Sequence, residues 1–143
     1  GSHGISITAD RLFEETDYED ADLLVLPGGM PGTLNLKACE PLLALLKEHN
    51  AKGKKLAAIC AAPTLLGRLG HLKGKQAVCY PGMEDQMYSA VVQKGEHVVV
   101  DGRFITGEAA GSVFEFGLKL VEVLRGKEAA DQVKHSVHYH YGS

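Results

Sequence analysis

Two spacings of apolar residues alternate along this chain. Leu23-Leu24-Val25-Leu26 follows Asp22 without a polar interruption and stops at Pro27-Gly28-Gly29, the pattern of a strand covered on both faces and closed by a turn. Leu42, Leu45, Leu46 and His49 then recur at helical spacing behind Pro41, with Asn50 and Gly53 as stop signals, so a helix follows the strand. Lys55-Leu56-Ala57-Ala58-Ile59 is a second buried-strand run. It passes directly through Cys60 into Ala61-Ala62-Pro63-Thr64-Leu65-Leu66, where Pro63 suits a first helical turn. Cys60 is therefore predicted at a strand-to-helix junction.

Gln76 to Tyr80 predicts a further short strand. Val98-Val99-Val100 and Arg103-Phe104-Ile105-Thr106 flank Asp101-Gly102 and predict a hairpin with a type I′ turn. Val113 to Leu124 is apolar at 113, 116, 120 and 124 and again at 114, 118 and 121, which predicts a helix buried over a wide face, touching a subunit as well as the sheet. Gly126 ends it, Glu128 to Val133 form a last helical turn or two, and the tail His135 to Tyr141 alternates His with Tyr, Ser or Val. Near the start, Ile5-Ser6-Ile7-Thr8 reads as strand. Strand, helix, strand, helix in this order predicts an α/β fold. The form expected is a flavodoxin-like or Rossmann-like open sheet, mostly parallel, with helices on both faces and an added β-hairpin. Ligands gather at the carboxyl ends of such strands, where both Gly28-Gly29 and Cys60 fall.

Length and composition narrow the function classes. The 143 residues suit one domain, spanning 1–143, and 45 % hydrophobic with 23 % charged residues excludes disorder or a coiled coil. Fifteen Lys and Arg against eighteen Asp and Glu give a net charge of -3, the wrong sign for a nucleic-acid partner. The longest mostly apolar stretch, Leu56 to Gly67, is broken by Pro63 and is too short to cross a membrane. With no signal peptide at the start, a cytoplasmic location is expected. Cys39, Cys60 and Cys79 are an odd set without C-x-x-C spacing, so neither a disulfide framework nor a zinc site is implied. The opening Gly1-Ser2-His3-Gly4 lacks a methionine and fits a tag scar, a processed terminus or a fragment.

Cys60 leads the candidates for chemistry, because unpaired backbone N–H groups at a helix start favour a thiolate. The alternative reading is a small buried hydrophobe. Gly28 and Gly29 would let backbone N–H groups approach an anionic oxygen and, with the N–H of Ala61, form an oxyanion hole facing the sulfur; a plain Pro-Gly-Gly turn explains them equally. Packing accounts for Cys39 and Cys79. His135, His138 and His140 have no partner carboxylate, so no metal is assigned. Glu84-Asp85 and Glu14-Glu15 read as solvated charges.

Leu-Pro-Gly-Gly at 26 to 29, Ala-Ala-Ile-Cys-Ala-Ala-Pro-Thr at 57 to 64 and Val-Phe-Glu-Phe-Gly-Leu-Lys-Leu-Val-Glu at 113 to 122 together resemble the DJ-1/PfpI (ThiJ) family over nearly the whole chain. The resemblance makes Cys60 a nucleophile and oxidation sensor on a strained elbow and makes Gly29 and Ala61 its oxyanion donors. It implies an enzyme of the glutathione-independent glyoxalase or deglycase type, taking a small carbonyl substrate such as methylglyoxal to lactate, with no cofactor and a homodimeric state. A redox sensor or stress-protective holdase using the same cysteine is the second reading, and an inactive member kept for subunit assembly the third.

Two departures stand out. Family members begin with a further strand-helix-strand unit that carries a glutamate bonded to the cysteine. The chain is therefore expected to be N-terminally incomplete, with that unit on a separate N-terminal fragment or in an undetected segment; otherwise a central strand is missing and an unpaired sheet edge is exposed. Tyr80-Pro81 also stands where many members carry a histidine, which argues against a Cys-His dyad and peptidase activity. Tyr80 is left as a hydrogen-bond donor or a pocket wall.

Overall fold

A computed structural model of the chain describes residues 3–140. Its elements are β1 (Leu23–Leu26), α1 (Gly32–Lys37), α2 (Glu40–Ala51), β2 (Lys55–Ile59), α3 (Pro63–Arg68) and β3 (Gln76–Ala77). These are followed by β4 (Val91–Val92), β5 (Val98–Asp101), β6 (Phe104–Gly107), α4 (Val113–Arg125) and α5 (Lys127–Ser136). The main sheet has the order β1-β2-β6-β5, parallel except for the β5–β6 hairpin, in keeping with the fold class expected from the sequence.

Strand β2 is central, and its alternation organises the core, because successive strand residues point to opposite faces. Leu56 and Ala58 face the larger apolar cluster, with Leu42 and Leu46 of α2 and Leu65 and Leu66 of α3. Ala57 faces the other side, with Ile105 and Phe116 of α4. Helices therefore cover both faces of the sheet. At its border, β1 pairs with β2 alone among the described residues, and Val25 is 44 % exposed.

Several expectations need correction. Ile5 to Thr8 forms no strand, and Ile5 and Ile7 project into solvent with no neighbouring strand to complete a ladder. The run from Gln76 is a strand only at 76–77, paired in parallel with β4 as a separate two-stranded sheet. Beyond it the Val78 N–H donates to the Thr106 hydroxyl at 3.0 Å, and the segment leaves the ladder. The hairpin loop is Gly102-Arg103, closed by the Asp101–Phe104 pair. Only Gly102 has a positive φ, +60°, as in a type II′ turn rather than the I′ turn expected.

Helix α4 buries a narrower stripe than its sequence suggests. Phe116 is buried and Leu120 and Val123 pack on the sheet face, whereas Val113, Phe114 and Leu124 are exposed, with the Phe114 ring stacked on Tyr139 at 5.5 Å. A helix presents only one side to a flat sheet, so its second apolar stripe lies outside that contact. Glu128 to Val133 lies within α5, which is longer than one or two turns. The tail residue Tyr141 lies outside the described residues. None of the helices among those residues is long and apolar enough to cross a membrane.

Two histidines make stability depend on pH. His49 is buried in α2 and its Nε2–H donates to the Lys55 carbonyl at 2.8 Å. Burial holds its pKa below the ordinary value, Lys54 and Lys52 push the same way, and the Lys55 bond opposes them. His71 accepts from Asn50 Nδ2 at 3.2 Å, and Asn50 Oδ1 in turn accepts from Arg103 at 2.7 Å. Burial first, then the charges of Arg103 and Lys47, lower its pKa as well. Both values lie below the ordinary 6.5 in the folded chain, so the unfolded state takes up protons first as pH falls. The stabilisation is complete above that value and is lost on acidification through the lowered folded-state values. The urea midpoint is expected to fall between pH 7.5 and pH 5, and His71→Gln should flatten that slope; a midpoint constant over this range would contradict the assignment.

Candidate active site

The end of β2 turns sharply at Cys60, whose φ of +65° lies in the left-handed region. A side-chain-bearing residue held there costs about 1–3 kcal/mol and persists only where its surroundings hold it in place. Two hydrogen bonds do so. The Cys60 N–H donates to Gly107 O at the end of β6 at 3.0 Å, and Cys60 O accepts from the Tyr80 N–H at 2.7 Å. The chain then winds through Ala61 and Ala62 into α3, with Pro63 in its first turn, where a missing N–H does no harm. Cys60 itself is part-buried.

The turn after β1 packs directly on this elbow. A Cβ built on Gly28 would lie 2.5 Å from Cys60 Cβ, 2.7 Å from Ile59 O and 3.3 Å from Ala61 N, so position 28 is glycine for space. Gly29 has open surroundings and a φ of +92°, so position 29 is glycine for conformation. Neighbouring parallel strands thus bring Gly28-Gly29 and Cys60-Ala61 into contact. Among the described residues, neither the Gly29 N–H nor the Ala61 N–H donates to a protein acceptor. Backbone donors left over in this way take up water or an anionic oxygen. The structure places Gly28 against Cys60 and Ala61, in keeping with the expectation that the two strand ends share one site.

The remaining candidates separate from the elbow. Cys79 is 5 % exposed, and its thiol is pushed up to about 11 by burial first, then by the Glu84 carboxylate and Cys60. Cys39 immediately precedes α2 and packs against the larger core. Glu84 Oε2 accepts from the Gly82 N–H at 2.8 Å and so serves its own turn, while Asp85, Glu14 and Glu15 are exposed. His135, His138 and His140 follow one another at ring separations of 6.4 and 6.2 Å, and no group of three metal-ligating side chains is placed to hold an ion among the described residues. The Tyr80 side chain is 47 % exposed beside the elbow backbone. No carboxylate or imidazole hydrogen-bonds the Cys60 sulfur among the described residues.

Three supporting residues escaped the sequence reading: Gly107, Thr33 and Thr64. Thr33 donates from both its N–H and its hydroxyl to Gly29 O, each at 2.9 Å. Thr64 does the same to Ala61 O, at 3.2 Å from N–H and 2.6 Å from the hydroxyl. The only signal in the sequence is a threonine four residues after Gly29 and another three after Ala61, a spacing that suits such back-bonding but occurs widely.

Comparison with known proteins gives the following. A profile of the DJ-1/PfpI family matches residues 1–123. The chain is 40 % identical over 132 residues to Protein DJ-1 homolog B of Arabidopsis thaliana, a match that covers 92 % of this chain and 30 % of that protein. It is 34 % identical over 129 residues to Deglycase PfpI of Pyrococcus furiosus, covering 87 % and 75 %. The structure of oxidized Toxoplasma gondii DJ-1 superposes with a TM-score of 0.90 at 39 % identity, covering 98 % of this chain and 76 % of that one. The chain thus spans less than a third of the Arabidopsis relative and about three quarters of the other two.

Proposed function

This chain belongs to the DJ-1/PfpI family, and from that premise we propose that it is a cysteine-dependent enzyme acting on small reactive carbonyls, of the glyoxalase or deglycase type. Archaeal relatives at 32 to 35 % identity carry the name deglycase. The observation that carries the reading is the pair of unused amides, Gly29 and Ala61, on the two turns that meet at the left-handed Cys60.

In this reading the Cys60 thiolate adds to the aldehyde carbon of methylglyoxal. A C–S bond forms, and the carbonyl π pair moves onto oxygen, where the Gly29 and Ala61 N–H groups hold the alkoxide. The hydrogen on that carbon is then taken as a proton by a base and returned to the neighbouring carbon through an enediol. This leaves a thioester of the 2-hydroxy acid, which water cleaves to lactate and the free thiol. No oxidant or reductant is consumed. We assign the base to the glutamate that the family resemblance implies, with water as a slower substitute. A homodimer belongs to the same reading, and the exposed Val113, Phe114 and Leu124 of α4 are apolar surface available for it. With Tyr80 in place of a histidine, peptidase chemistry is not proposed.

The test is steady-state consumption of methylglyoxal without glutathione, with lactate formed mole for mole; no turnover by protein with an intact Cys60 thiol rejects the enzyme. The second reading, an oxidation sensor or holdase, is favoured by one observation: Cys79 is buried and its thiol pushed up to about 11, whereas Cys60 is only part-buried. Dilute peroxide should then add two oxygens at Cys60 before Cys39 or Cys79. Equal oxidation of all three would count against sensing.

A further inference from the structure

We propose that Thr33 and Thr64 are positioning residues that set the two oxyanion amides. Each hydroxyl grips the carbonyl of the residue whose own N–H is left unused, Gly29 for Thr33 and Ala61 for Thr64. Both threonines are fully buried, at 0 % exposure.

The device appears on two turns that follow different strands. Among the described residues, the other three α-helix starts lack it: Cys39 O before α2 accepts only from the Leu43 N–H, Gly126 O before α5 only from the Ala130 N–H, and Ala109 O before α4 only from the Ser112 N–H. Among the α-helix starts, hydroxyl reinforcement therefore occurs at the two turns that touch Cys60, and the comparable Thr16 bond to Leu12 O, at 3.0 Å, lies on an exposed turn.

The physical effect follows from how a residue is hinged. Its C=O and its N–H lie in adjacent peptide planes joined at Cα, so anchoring the carbonyl limits how far the amide can swing. Gly29 most needs this restraint, because glycine leaves a φ of +92° at little cost. Turning either peptide would strip two hydrogen bonds at once and strand a buried hydroxyl without an acceptor, which is costly in itself. Donors held this way are aimed before any charge develops, the condition under which an oxyanion hole is most effective. The inference rests on the catalytic reading above for its effect on turnover, and on the amides alone for its effect on oxidation.

The test uses the full chain with Thr33→Val and Thr64→Val, which exchange the hydroxyl for a methyl, and with Thr33→Ser and Thr64→Ser, which keep the hydroxyl. Three quantities are read: kcat and KM for methylglyoxal, the rate of sulfinate formation at Cys60 in dilute peroxide, and the rate of Cys60 alkylation by iodoacetamide. Each valine variant is expected to lower kcat about 10-fold with KM within about twofold, less than the loss of a whole donor. Sulfinate formation should slow by a similar factor, and alkylation, which needs the thiolate but no oxyanion donor, should stay within about twofold. The serine variants should restore both affected rates to at least half.

Valine variants that turn over and oxidise like the parent would overturn the proposal. So would failure of serine to restore the rates, a parallel fall in alkylation, or valine variants that simply unfold while the serine variants stay folded, since the hydroxyls would then serve stability alone. If the parent protein itself does not turn over methylglyoxal, the catalytic reading fails, and the sulfinate and alkylation rates still decide the role of the threonines.

Discussion

Cys60→Ser is expected to remove lactate formation from methylglyoxal, a fall of at least about 10³-fold, equivalent to roughly 4 kcal/mol of transition-state stabilisation. The substitution changes one atom. A serine hydroxyl keeps its proton at neutral pH and is a far weaker nucleophile than a thiolate, and no imidazole is bonded to position 60 among the described residues to activate it. The backbone should not notice the exchange, because the +65° φ is imposed by the Gly107 and Tyr80 hydrogen bonds, both made to backbone atoms of residue 60. Stability should therefore stay within about 0.5 kcal/mol of the parent, which separates lost chemistry from lost structure. The measurement is lactate release under saturating methylglyoxal beside a urea titration of each protein. An undiminished rate in the folded variant would remove the sulfur from the mechanism.

Gly28→Ala is expected to have the second-largest effect, through geometry alone. The φ of Gly28 is not in the left-handed region, so alanine meets no conformational barrier. Its Cβ would meet Cys60 Cβ at 2.5 Å and Ile59 O at 2.7 Å, well inside van der Waals contact. These are backbone-anchored atoms that cannot swing aside, so the Pro-Gly-Gly turn and the elbow must separate. Overpacking of this kind costs about 1–3 kcal/mol, and a misplacement of about 1 Å at a reacting centre costs on the order of 10²-fold in rate. Gly32→Ala is the control. It lies in the same loop-to-helix region with open space around its Cβ position, and it should stay close to the parent in both urea midpoint and turnover. A Gly28→Ala protein with the parent's turnover would show that contact between the two turns is not needed for the chemistry.

Much of the fold was legible because it rests on local pattern. Leu23–Leu26 and Lys55–Ile59 are apolar runs bounded by polar or turn residues, and each is a parallel strand; the second is buried on the sheet, whereas the first lies at its border with Val25 exposed, not covered on both faces as its apolar run suggests. The Val98–Thr106 region reads as a hairpin because two β-branched runs flank a glycine turn, although only strand pairing shows that the loop is Gly102-Arg103. Elements that depend on distant partners were not legible. Val91-Val92 is a strand only because Gln76-Ala77 lies beside it, and Val78 leaves the ladder because Thr106 supplies a hydroxyl acceptor. Helix α1 is six residues behind Pro31, with Leu34 and Leu36 as its large apolar side chains, too short for a 3.6-residue period to show. The wide apolar face of Val113 to Leu124 misled in the opposite direction, since periodicity counts apolar residues and says nothing about how much surface a neighbour can cover.

The sequence by itself determined the strand-helix alternation, the place of Cys60 at a junction and the glycine pair one strand earlier, because each follows from residue types within a few positions of one another. Only the tertiary structure decided that the two turns touch, that Gly28 is small because Cys60 lies against it, and that the amides of Gly29 and Ala61 are left over while two buried threonines hold their carbonyls. Those facts depend on the parallel register of β1 on β2, which aligns Leu26 with Ala58 and so brings both strand ends to the same level. Register arises from side chains packing across the whole sheet, and no local stretch of the chain contains it.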